Sequence, residues 1–307
     1  MKPSHPPRRL LWQGAALLAY GCLALALFFN VWSVEKLLAG DGKLEWPHTL
    51  HVWLIQMTAF LIGAGGLVLL ANRTRLTHWL EAQSPGQQAS TLFWLLVSIQ
   101  ALLGGAFMLT KQHPGFSDWG YLYDLFNLNQ EFSIPTLYEV GILWLAAALA
   151  ALIAFRSARY AAAGQSVVLT WAVTALTLTL MGFDELLSFH EQAGQLVSED
   201  ARASFAGYGY TWTLVGFPVA ALLGVYFLIQ FRRIFSGRPA QLVWLIMAGS
   251  LFLFGAVFVE NFQMYLQKQH GYPETLSVYH LLEEMCEMLG IALAIRVFYR
   301  HARELLP

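Results

Sequence analysis

Apolar runs of similar length recur along the chain, separated by short polar breaks. A bilayer core needs about 20 apolar residues per helix. Eight stretches reach or approach that length: residues 10–30, 50–71, 91–109, 134–155, 167–187, 211–231, 242–262 and 278–299. The pattern predicts an all-α fold, a polytopic integral membrane helical bundle of about eight transmembrane helices forming a single domain over residues 1–307. The first run follows Arg8 and Arg9, as the core of a secretory signal would. It exceeds the usual ~7–15 apolar residues, and no small-residue cleavage site follows, so it reads as a retained first helix. The longest break, 110–133, carries Phe116, Trp119, Tyr121, Tyr123 and Phe126. That composition suits a cap packed at the membrane interface on the outer face.

Composition supports the membrane reading. Of the 307 residues, 57% are hydrophobic and 12% charged, against roughly 25% charged in soluble domains. Lys+Arg number 18 and Asp+Glu 19, so there is no basic excess to neutralise a phosphate backbone, and nucleic acid is excluded as a partner. Cys22 and Cys286 lack the paired spacing of zinc or redox motifs and read as small core residues.

Charge placement sets the orientation, because cytoplasmic loops retain Lys and Arg. With the N-terminus inside, Lys2, Arg8, Arg9, Arg73, Arg75, Arg156, Arg159, Arg232, Arg233, Arg238, Arg296, Arg300 and Arg303 are cytoplasmic, or 13 of the 18 basic residues. Both termini are therefore expected inside. Of the 19 acidic residues only Glu81 and Glu304 fall on that side, which makes the outer face acidic.

An ionisable group at membrane depth costs roughly 2.5–3.5 kcal/mol and marks a functional site by default. Carboxylates occur at the outer ends of four predicted helices: Glu139 in the fourth, Asp184 and Glu185 in the fifth, Glu260 in the seventh, and Glu283, Glu284 and Glu287 in the eighth. Residues three, four and seven apart share a helical face, so His280, Glu283 or Glu284, and Glu287 form a stripe leading inward. Asp184, Ser188 and Glu191 share a face provided the fifth helix continues that far. Glu139 has two readings, as a group satisfied by Tyr138 or a backbone amide, or as part of the site. Asp118, Asp124 and Glu131 lie in the outer loop, where water is sufficient solvation.

Like charges this close in a low dielectric must be protonated, paired or bound to a cation. The outer halves of these four helices contain no Lys or Arg, so a metal ion is the candidate counter-charge. Candidate ligands are Asp184, Glu185, His190, Glu191, His280, Glu283, Glu284 and Glu287. Glu191, Glu260 and Glu287 are candidate acid–base groups. An oxygen-rich set with one or two imidazoles suits Mn, Fe or Zn rather than Cu(I). Di-metal bundles use Glu-x-x-His pairs, whereas the order here is His280-x-x-Glu283. No Gly-rich phosphate loop, Gly-x-Ser-x-Gly or Cys-x-x-Cys-His occurs, and nothing signals haem, nucleotide or flavin.

Asn129-Gln130-Glu131-x-x-x-Pro135-Thr136, Asp184-Glu185-x-x-x-x-His190-Glu191 and Glu283-Glu284-x-x-Glu287-x-x-Gly290 together resemble an uncharacterised bacterial family of multi-pass membrane proteins, from about Asp124 to Arg303. The resemblance implies that these positions form one site and that the protein resides in the bacterial inner membrane. It assigns no activity. The residues themselves favour a membrane-embedded, metal-dependent enzyme acting on a lipid or other amphiphile, with the site facing outward. A cation- or proton-coupled transporter and a non-catalytic assembly or sensory subunit are the alternatives. The topology predicts external signals from reporter fusions at Gly42, Gln112, Ser198 and Gly271 and cytoplasmic signals at Gln83, Gly164 and Gly237; an external signal at Gly237 would overturn it.

Overall fold

A computed structural model describes residues 82–112, 125–128, 133–159, 164–189, 212–270 and 276–305. The runs expected at 10–30 and 50–71, most of the 110–133 loop, His190 and Glu191 lie outside these residues. Among the described residues all the regular elements are helical. We label them α1 (Pro85–Gln112), α2 (Ile134–Arg159), α3 (Gln165–Leu187), α4 (Thr213–Ile234), α5 (Pro239–Leu253), α6 (Glu260–His270) and α7 (Leu276–Glu304). A π-helical segment, Phe254–Val259, joins α5 to α6 without a break.

Local chemistry explains several boundaries. Ser133 caps α2, its Oγ accepting the Thr136 N–H at 3.3 Å, while Pro135 sits in the first turn, where a missing N–H costs no helical bond. Pro239 begins α5 for the same reason. The α3 helix ends at Ser188, which adopts left-handed φ 47°, ψ 44° and returns its N–H to Asp184 O. Continuation of α3 as one helix to Glu191 is therefore not what the chain does, and the expected Asp184–Ser188–Glu191 face is interrupted at its middle member.

Among the described residues, five helices are long and apolar enough to cross a bilayer: Pro85–Lys111, Ile134–Arg159, Gln165–Leu187, Gly216–Ile234 and the continuous Pro239–Gln267. By that measure this is an all-helical membrane protein. The eighth expected run is helical within α7, but its carboxylates and arginines leave it less apolar than the other five.

The centre of the bundle is nevertheless α7. It packs on α1, α2, α5, the π-helical segment and α6, while α2 and α3 form a second extensive pair. Leu143, Ala146, Ala150 and Ile153 of α2 meet Met288, Ile291, Ala292 and Ile295 of α7 in a buried core. Small residues let backbones approach, as is usual between membrane helices. A Cβ on Gly290 would lie 2.7 Å from Ala248 O and 2.9 Å from Phe252 N, so α5 and α7 touch there.

Past the apolar part of α7, a polar lock closes the opposite end of the bundle. His301 stacks on Trp171 with ring centroids 5.4 Å apart, and Arg238 Nη1 lies 3.0 Å from its Nδ1. Arg238 also pairs with Glu304 at 2.6 Å, and Arg300 Nε donates to Glu304 at 3.0 Å. Burial, reinforced by the Arg238 charge, pushes the His301 pKa down to about 4 against a partial upward pull from Glu304. Burial raises the Glu304 carboxyl, but the Arg300 and Gln241 hydrogen bonds and the Arg238 charge outweigh it and hold the group below its ordinary value. Both groups bind protons more weakly folded than unfolded. The His301 contribution is therefore complete above pH 6.5 and declines as the pH falls towards 4, amounting to about 2 kcal/mol lost by pH 5. Thermal melts in detergent should fall between pH 6.5 and 5, and His301→Phe should flatten that slope; an unchanged slope would remove His301 from the account.

Candidate acidic site

Four segments bring carboxylates to one level. Glu139 lies in the second turn of α2 and Glu185 in the last turn of α3. Glu260 directly follows the π-helical segment, and Glu283, Glu284 and Glu287 occupy the first half of α7. Single carboxylate oxygens of Glu139, Glu185 and Glu287 all lie within 4.8 Å of one another. Glu139 is 1% and Glu287 7% exposed, while Glu185 is half-buried.

The remaining acids surround this triad. Glu284 lies within electrostatic reach of Glu139 and Glu287. Glu283 turns the other way, accepting from Gln263 Nε2 of α6, with His280 Nδ1 3.7 Å from its Oε2. Glu260 accepts the Trp212 indole N–H at 3.1 Å and is within electrostatic reach of Glu287. The stripe expected along α7 is thus divided: Glu284 faces α2, Glu283 faces α6, and Glu287 lies between them.

Glycines set these distances. Gly182 lies under Trp144 of α2, where a Cβ would come within 2.5 Å of the indole nitrogen. This contact fixes the α2–α3 spacing one turn before Glu185. A Cβ on Gly255 would lie 2.7 Å from both Glu283 O and Glu287 Cγ, so the π-helical segment can lie beside Glu287 only with glycine there. Such segments often mark functional sites.

Of the residues singled out from sequence, Glu185 and Glu287 join the triad, with Glu284 and Glu283 next to them and Glu260 at the edge. His280 stands beside Glu283, outside the triad. Asp184 lies in the last turn of α3 and does not converge with these three. His190 and Glu191 are outside the described residues. Glu139, left open between two readings, is central. The Tyr138 hydroxyl donates to Leu96 O at 3.0 Å instead, and Glu139 Oε1 has no hydrogen-bond partner among the described residues. A buried carboxylate oxygen of that kind beside two further carboxylates is a place where an ion could bind. The triad could therefore hold a metal ion. Oxygens on opposite sides of an ion at ~2.1 Å would be about 4.2 Å apart, so the side chains would close slightly around one.

A family model for a domain of unknown function, DUF8692, matches residues 89–302. The chain belongs to this family, whose matched region contains all the carboxylates of this site. No curated protein and no solved structure matches the chain.

Gly255→Ala should cost about 1–3 kcal/mol, because the added methyl meets backbone as well as the Glu287 stem. Gly249→Ala, where a Cβ meets nothing within 4 Å, is the matched control. Equal melting temperatures for the two variants in detergent would show that the close approach at Gly255 does not constrain the site.

Proposed function

We propose that the protein is a membrane-embedded metalloenzyme acting on a lipid or other amphiphile, with Glu139, Glu185 and Glu287 as the inner ligands of a divalent cation. The observation that carries the reading is the buried Oε1 of Glu139, without a hydrogen-bond partner among the described residues, beside two more carboxylates. Of the ions considered, Mn2+ best suits an all-oxygen inner set, whereas Fe2+ or Zn2+ would call for an imidazole such as His280 or His190. Glu284, beside Glu139, and Glu260, held by Trp212, are the candidate acid–base groups. The cation would activate water or polarise a carbonyl or phosphoryl oxygen. The basic-residue bias supports an arrangement with both termini inside, eight spans and an outward-facing site. The Asp184-Glu185-x-x-x-x-His190-Glu191 and Glu283-Glu284-x-x-Glu287 resemblance supports the bacterial inner membrane.

A carrier would need the polar path to continue through the bundle. Inward of Glu287, α7 buries Met288, Ile291, Ala292, Leu293 and Ile295, which favours an enzyme over a carrier. Elemental analysis should find stoichiometric divalent metal in the wild type and a loss of it in Glu287→Gln. The variant should melt lower, and a chelator should bring the wild type towards it by removing a ligand that binds only the folded state. A variant that melts higher, with the wild type indifferent to chelator, would overturn the assignment.

A further inference from the structure

Helix α1 contributes no carboxylate to the site, yet it holds the residues next to two of the triad acids. Its buried stripe runs Phe93, Leu96, Gln100, Leu103 and Phe107, with the spacing of one helical face. Of these only Gln100 is polar, and it is fully buried. In hydrocarbon a leucine would fill such a position with no polar group to satisfy, so an interior glutamine there points to a specific tie between helices.

Gln100 Nε2 donates to Met288 O of α7 at 2.8 Å, and Met288 directly follows Glu287. One turn earlier on α1, Leu96 O accepts the Tyr138 hydroxyl at 3.0 Å, and Tyr138 directly precedes Glu139. Within a continuous helix the Leu96 carbonyl also accepts the Gln100 N–H, which its second lone pair allows. A single backbone hydrogen bond of α1 therefore joins the two ties, and the path from Glu139 to Glu287 runs through Tyr138, Leu96, Gln100 and Met288. Helix α1 packs broadly on α7 and only slightly on α2. Apolar contact consequently does little to fix α1 against α2, and the Tyr138 bond supplies that connection.

We propose that Gln100 and Tyr138 are positioning residues of the carboxylate site, holding the backbones beside Glu287 and Glu139 through α1 at the separation the triad requires, against the repulsion of its acids. The proposal rests on the reading of that triad as a cation site and adds two residues that act through the backbone rather than as ligands. Rotation is the motion to be resisted, because adjacent residues of a helix point ~100° apart and a fraction of that turn carries a carboxylate out of the cluster.

The second buried glutamine of α1 supplies the control. Gln88 Oε1 accepts the Tyr299 hydroxyl of α7 at 3.0 Å, twelve residues or about 18 Å along the helix from Gln100, so Gln88→Leu removes an α1–α7 hydrogen bond far from the acids. Full-length protein in detergent, stripped with chelator and titrated with Mn2+, would be followed by electron paramagnetic resonance. Gln100→Leu should raise the Mn2+ Kd about ten-fold or more, the loss usual when a group that orients a ligand is removed, and should alter the line shape of the bound ion. Gln88→Leu should leave the Kd within about two-fold of wild type, as a distant site does, and the line shape unchanged. Tyr138→Phe, which removes a single hydroxyl, should shift the Kd in the same direction as Gln100→Leu and carries the test should that variant fail to fold. An unchanged Kd in either site variant that folds, or an equal rise in Gln88→Leu, would overturn the proposal and leave the cation site standing. A wild type that takes up no Mn2+ would overturn the cation reading instead, and the infrared C=O band of the protonated carboxyls, assigned by its loss in Glu139→Gln, then decides the positioning role. Displacement of that band by Gln100→Leu but not by Gln88→Leu would uphold it; an unmoved band, or equal displacement in both variants, would overturn it.

Discussion

Carboxyl groups that meet inside a bundle of membrane helices repel one another in a medium too poorly polarisable to screen them, and the structure around α7 is organised by that repulsion. Glu139, Glu185 and Glu287 converge from three helices, and among the described residues the charges acting on Glu139 and Glu287 are those of other carboxylates. Glu284 lies within electrostatic reach of Glu139, while Glu283 and Glu260 each accept a hydrogen bond from a neutral donor, Gln263 and Trp212. Glu139 Oε1 is left without a hydrogen-bond partner among the described residues. A cation could take that position.

Convergence also constrains the scaffold. Three helices can bring short Glu side chains together only when their backbones lie close, and glycine is the residue at the points of closest approach. Gly182 admits Trp144, Gly255 admits Glu287, and Gly290 admits the α5 backbone. The π-helical segment belongs to the same constraint. It places Gly255 and Val259 inward, with Gly255 against the Glu287 stem. At the far end of α7 the demand is reversed: Arg238 and Arg300 are abundant positive charge, Glu304 answers them, and His301 stays neutral between Trp171 and Arg238. Helix α7 thus has an acid-rich segment at one end and a charge-balanced lock at the other, with an apolar core between them.

Much of this was legible in the sequence. Apolar runs near 20 residues, interrupted by arginines, define membrane helices because hydrocarbon accepts no unpaired backbone polar group. The acids of four helices could be placed at one level by counting residues from the ends of those runs, because helical rise is fixed. Membership of Glu185 and Glu287 in a common region follows from such counting. It could not rank Glu139, whose standing depends on where the Tyr138 hydroxyl goes, and that hydroxyl finds Leu96 O on another helix. Nor could it separate Glu283 from Glu284, adjacent residues that a helix turns by ~100° and that therefore meet different neighbours.

The sequence by itself determined that the chain is helical and suited to a membrane, and that its intramembrane charge is acidic and concentrated towards one end, because these follow from one-dimensional pattern and local geometry. Tertiary structure alone decided which three carboxylates meet, that α3 ends at Ser188, and that the seventh run passes through a π-helical segment. These outcomes depend on helix rotation and spacing, which are set by contacts between residues far apart in the chain, such as Gly255 with Glu287 and Trp212 with Glu260.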